Sequence, residues 1–144
     1  MSLYILDTDI LSLLHQNNAV VIARVESAVT AGHSVGLSVV SVEEQFHGWM
    51  KELNAARTAA LFARFSLALT RAVRLWNRFP LSPETEASRT TLQQFIKLKL
   101  NVGKNDLRIA SVVVDLGAIL VTRNAVDYRR IPGVKFEDWA APPP

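Results

Sequence analysis

Asp7, Glu44, Asp106 and Asp127 are the side chains of this sequence whose types and spacing could do chemistry. Asp7 closes the apolar run Leu3–Leu6, and Glu44 comes just after Ser34–Val40. Asp127 follows Ala118–Thr122, and Asp106 opens the helix that feeds that last run. In open α/β sheets ligands bind beyond the carboxyl ends of the strands, where these acids would gather. Gathered carboxylates repel: at ~4 Å and an effective dielectric of ~20, each pair costs about 4 kcal/mol. Hard divalent cations relieve this, because Mg²⁺ and Mn²⁺ prefer carboxylate and water oxygens. The chain has no Cys, and its three His, at 15, 33 and 47, lack paired ligand spacing, so oxygen is the ligand it offers in quantity. Attack of a metal-activated water on a phosphodiester is the chemistry such a set supports.

Each acid also has a plainer reading. Asp7 with Thr8 could only cap a helix, and Glu44 could only close a capping box with Ser41. Asp106 suits any helix N-terminus, and Asp127 lies one turn into a short helix. Glu43 reads as solvated. The joint placement of the four carries the argument.

Arg57, Arg64, Arg71 and Arg78 recur every seven residues with Arg74 close by, and no acid occurs between Glu52 and Glu84. Such a row could be a solvated helix back whose stems cover apolar surface, a set of phosphate contacts, or a dock for an acidic partner segment. Residues 1–56 carry two basic against six acidic side chains, and residues 57–144 carry fourteen against seven. A basic body with a separate acid set suits a metal-dependent enzyme on an anionic polymer.

A length of 144 residues bounds the chain at one domain, expected over 1–139, with a frayed Pro-rich tail at 140–144. Zero Cys removes disulfide and thiolate chemistry. The first residues lack a basic leader region, and Asp7 and Asp9 interrupt the apolar stretch. The longest uncharged stretch, 27–42, is too short and polar for a bilayer. The expectation is a soluble, cytoplasmic protein.

The elements that must position the acids follow from the patterning. Leu3–Leu6 reads as a buried parallel strand, with a helix from Thr8 to Leu14 and another over Ala19–Ala31 stopping at Gly32. Ser34–Val40 is the second strand, and Ser41 opens a helix. Leu61, Phe62, Phe65, Leu69, Ala72 and Trp76 give helical spacing over Ala55–Phe79, and Phe79–Leu81 suggests a short strand. Pro83 starts a helix to about Leu100, 101–105 is a loop, and 106–116 is helical. Ala118–Thr122 is a strand, Asn124–Arg130 a short helix, and Val134–Glu137 an edge strand. Strands alternating with helices predict a parallel sheet covered on both faces. Gly103-Lys104 lacks the rest of a P-loop, and no Ser-centred nucleophile elbow appears.

Four segments together resemble the successive motifs of PIN-domain ribonucleases: Leu6-Asp7-Thr8-Asp9-Ile10-Leu11, Ser38 to Glu44, Gly103 to Ala110, and Thr122 to Tyr128 followed by Ile131-Pro132-Gly133-Val134. The match is nearest to VapC-like toxins of bacterial toxin–antitoxin pairs and spans Tyr4 to about Trp139. The resemblance implies a three-layer α/β/α sandwich with a mostly parallel central sheet of about four or five strands. It implies a Mg²⁺- or Mn²⁺-dependent endoribonuclease that forms a homodimer and is inhibited by an antitoxin. Asp7, Glu44 and Asp106 match the family's regular acids, and Asp7 and Asp106 match the usual metal ligands. Asp127 or Asn124 would fill the fourth position, with Thr8 and Asn124 supporting. Arg64, Arg71, Lys104, Arg108 and Arg123 are candidates for RNA or partner contact. Asp9 stands where the family usually has Asn and adds charge beside the site. The alternatives are an inactive PIN-fold RNA- or protein-binding module, and a haloacid-dehalogenase-like phosphatase suggested by Asp7-Thr8-Asp9. The second lacks the later Lys and acid pair, since its strand end reads Thr122-Arg123-Asn124.

Overall fold

A computed structural model describes residues 1–142; Pro143 and Pro144, in the expected tail, lie outside the described residues. The chain runs β1 (Leu3–Leu6), α1 (Thr8–His15), α2 (Ala19–Thr30), β2 (Ser34–Ser38), α3 (Val39–Ala55), α4 (Ala59–Trp76), β3 (Leu81–Ser82), α5 (Glu86–Lys97), α6 (Lys104–Asp115), β4 (Ile119–Val121), α7 (Ala125–Tyr128) and β5 (Phe136–Glu137). All strand pairs are parallel, in the order β3-β2-β1-β4-β5.

Alternation along the central strands separates two cores, as a sheet buried on both faces requires. Ile5 and Leu120 face one core with Leu92 and Phe95 of α5, Leu107, Ile109 and Val113 of α6, and Tyr128 of α7. Leu6 and Val121 face the other with Ile10 and Leu11 of α1, Val21 of α2 and Trp76 of α4. Helices therefore cover both faces, and the α/β fold with its parallel sheet is the one expected. Trp139 is buried in the second core with its ring 4.9 Å from Tyr4. Ala140, the first tail residue, is half-buried against the same core rather than frayed.

Several boundaries differ from the sequence reading. β2 stops at Ser38, whose hydroxyl accepts from the Val40 amide and caps α3; no capping box joins Ser41 and Glu44. The helix expected over 55–79 is broken at 56–58, and Thr58 caps a new helix by accepting from the Leu61 amide. Arg57 and Arg78 consequently lie outside α4, and the heptad row is not one stripe. α5 begins after Thr85, which forms a reciprocal capping box with Ser88, rather than at Pro83. It ends before Leu100 because Lys99 and Asn101 take left-handed backbone, φ 51° and 57°. The short strand is Leu81–Ser82, overlapping the expected Phe79–Leu81 only at Leu81.

Gly36 lets β2 and β3 approach: a Cβ there would stand 2.9 Å from the Pro80 carbonyl oxygen, which accepts from the Leu37 amide at 2.9 Å. Gly36→Ala should therefore cost about 1–3 kcal/mol, read as a lowered thermal unfolding midpoint. An unchanged midpoint would show that β3 yields freely.

Candidate active site

The carboxyl ends of β1 and β4 bring the first and last of the motifs together. Asp7 is 4% exposed and N-caps α1. Its Oδ1 accepts from the Thr8 amide at 2.8 Å and its Oδ2 from the Thr122 hydroxyl at 2.7 Å. Thr122 is held in turn, since its amide donates to the Glu137 carbonyl of β5. Burial, then Asp9 and Asp106, push the Asp7 carboxyl up to about 7. Asp7 and Asp106 have no ion-pair partner among the described residues.

Glu44 reaches the same place from α3, its Oε1 accepting from the Thr8 hydroxyl at 2.7 Å and its Oε2 from the Asn105 amide at 3.4 Å. Asp106 sits in the first turn of α6, which begins at Lys104 rather than at Asp106 itself. Its Oδ1 accepts from the Tyr128 hydroxyl at 3.2 Å and its Oδ2 from the Asn124 amide at 3.4 Å. The same Asn124 nitrogen donates to Asp127 Oδ2 at 3.0 Å. Asn124 and Asp127 are thus both present at the fourth corner, joined by one amide. Burial raises the Asp106 carboxyl, and Glu44, Asp127 and Asp9 add to the rise. Burial and the charges of Asp7 and Asp106 also raise the Tyr128 phenol.

Asp9 ties the two chain crossings together, accepting from the Ile10 amide at 2.7 Å and the Arg123 amide at 3.0 Å. Gln45 braces the opposite side: its amide donates to Ser12 Oγ at 3.0 Å and its carbonyl accepts from Trp76 Nε1 at 2.8 Å. Thr122, Tyr128 and Asn105 are the site residues that sequence reasoning did not single out. All three lie inside the quoted motifs, but nothing in a hydroxyl or amide alone tells which carboxylate it will meet.

Among the described residues no three His, Cys, Asp or Glu side chains form a ready-made metal cage. Hydroxyl and amide groups stand between the four acids instead. The donor chemistry nevertheless fits a hard dication: every candidate ligand is oxygen, and of the four acids only Asp127 has an ion-pair partner among the described residues, Arg130 at 3.8 Å.

The basic candidates separate. Arg108 is not free for RNA or a partner: its guanidinium bonds Glu84 at 2.7 Å and Glu43 at 2.9 Å and touches Asn105 Oδ1 at 3.1 Å. Glu43 is correspondingly held, not merely solvated, and both carboxyls lie below their ordinary value because of Arg108. Truncating Arg108 to Ala should cost about 1–2 kcal/mol, since both carboxylates can turn to water; a neutral result in thermal unfolding would contradict this. Arg64, Arg71, Lys104 and Arg123 are exposed and form no ion pair among the described residues. Arg71 and Arg78 border a groove of about 410 Å³ over Leu14, Ile22, Val25 and Phe79.

The five-stranded parallel sheet covered on both faces matches the PIN fold of solved VapC structures. In sequence the chain resembles Ribonuclease VapC1 of Haemophilus influenzae, 26% identical over 137 residues that cover 95% of this chain and 98% of that protein. Ribonuclease VapC2 of Rickettsia felis is 43% identical over 51 residues, 35% of this chain and 36% of that protein. No family model matches. Among solved structures, the VapBC2 complex from Rickettsia felis bound to a DNA fragment from its promoter superposes with a TM-score of 0.80 at 20% identity, covering 95% of this chain and 98% of that one. VapBC-1 from nontypeable Haemophilus influenzae gives 0.74 at 22% identity, covering 96% and 99%. No helix among the described residues is long and apolar enough to cross a membrane.

Proposed function

We propose that this chain is a Mg²⁺- or Mn²⁺-dependent endoribonuclease, the toxin of a toxin–antitoxin pair. It would act on cytoplasmic RNA, assemble as a homodimer and be held inactive by a cognate antitoxin. The observation that carries the proposal is the convergence of Asp7, Glu44, Asp106 and Asp127 on one sheet edge. The full-length likeness to Ribonuclease VapC1 supports RNA as substrate, and the likeness to VapBC complexes supports a protein partner.

Asp7 and Asp106 would hold the metal, with Glu44 and Asp127 supporting. When bound, such a dication lowers the pKa of water and offsets charge developing on the phosphate. The protein's own part is orientation. Thr8 and Thr122 fix the two Asp7 oxygens, and Thr8 also turns Glu44 toward Asp7. Glu44 Oε2, met only by a long amide contact, would take a proton from the nucleophilic water. Asn124 Nδ2 donates to both Asp106 and Asp127 and so keeps the two carboxyl groups together.

Purified protein should cleave RNA with Mn²⁺ and stop when a chelator removes the metal. Cleavage unaffected by chelation would sink the metal reading. No cleavage by a folded, metal-bound protein would leave the binding-module alternative.

A further inference from the structure

We propose that Tyr128 is a positioning residue whose buried hydroxyl holds Asp106 in place to share one divalent cation with Asp7. The inference rests on the assignment of those two acids as metal ligands. Tyr128 is 0% exposed, packed among Ile5, Leu107, Ile109, Leu120 and Ile131. In such surroundings a phenylalanine would pack as well, and a hydroxyl without a partner would be a cost. The hydroxyl has its partner: it donates to Asp106 Oδ1 at 3.2 Å. The other oxygen of Asp106 has only the Asn124 contact at 3.4 Å. The phenol is therefore the shorter of the two tethers.

The tether comes from a third element. Asp7 belongs to the end of β1 and Asp106 to the first turn of α6, while Tyr128 closes the four-residue α7. Asn124, which caps α7, contacts Asp106 as well. Outer groups that hydrogen-bond metal-ligating side chains hold them in orientation, and losing one typically costs 10–100-fold in metal affinity or activity.

The test uses the full chain with Tyr128→Phe, titrated with Mn²⁺ and followed by the spectroscopic signal of the free ion. Its dissociation constant should rise about 10-fold or more over wild type, with kcat reduced and KM for RNA unchanged. Circular dichroism and the metal-free unfolding midpoint report whether the fold is kept. Wild-type affinity in the Phe variant overturns the proposal and leaves the metal reading intact. Failure of the wild-type protein to bind Mn²⁺ overturns the metal reading itself. Should the Phe variant not fold, fluorotyrosine can be placed at 128 in a Tyr4→Phe background, because the chain has two tyrosines. Its fluorine resonance should then move on Mg²⁺ addition, and a resonance that stays still counts against the tether.

Discussion

Asparagine at position 7 should give a metal-free protein that unfolds several degrees higher than wild type at pH 8 and has no Mn²⁺-dependent cleavage. The Asp7 carboxyl rises from 3.8 to about 7 in the fold, chiefly because it is buried. A carboxyl with a raised folded pKa favours the native state while protonated. Its contribution is complete below pH 3.8 and is lost as pH climbs through about 7. Three units correspond to about 4 kcal/mol as an upper figure, worth on the order of 10 °C in a domain of this size. Asn carries no charge to desolvate, and its carbonyl can still accept from the Thr8 amide while the Thr122 hydroxyl turns to accept. The wild-type midpoint should therefore fall as pH rises from 3.8 to about 7, and that of Asp7→Asn should fall less, the raised Asp106 and Asp9 carboxyls still titrating in it. Mn²⁺ should restore the wild type and not the variant. Parallel pH profiles would refute the charge account, and retained cleavage would refute the ligand role.

The second large effect belongs to Glu44→Gln. The helix that carries Glu44 is capped by Ser38, three residues before Ser41, so the substitution removes no cap. Gln can still accept from the Thr8 hydroxyl at the position Glu44 Oε1 now holds. Stability should change by less than about 1 kcal/mol. Loss of a proton acceptor at Oε2 should lower kcat by about 10²–10⁴. Single-turnover cleavage with saturating Mn²⁺ measures this, and a rate within twofold of wild type would return Glu44 to a purely structural role.

Much of the site was legible because its acids lie next to strand ends, and strand ends are marked by abrupt stops in short apolar runs. Leu3–Leu6 followed by Asp7 is such a stop, and β1 has those bounds. What could not be read depended on contacts between distant segments. Continuous helical spacing from Ala55 to Phe79 hides the break at 56–58, since Thr58 serves as a cap only when the chain turns there. Arg108 resembles a free cation until the fold sets Glu84 and Glu43 beside it, 24 and 65 residues away in sequence. Tyr128 looks like one more core aromatic, and only the placement of Asp106 gives its hydroxyl a use.

The sheet order has a consequence for synthesis. β1 is central, and one of its two neighbours, β4, is made 115 residues after Asp7, measured to the Thr122 that grips it. At ~5–20 residues per second a ribosome needs roughly 6–23 s to cover that distance. Throughout that interval a nascent chain has Asp7 without Thr122 and without Asp127. The amide of Thr122 then waits further for Glu137, seven residues from the end of the chain. The acid set therefore comes together only once β4 and the segment that follows it have joined the sheet beside β1.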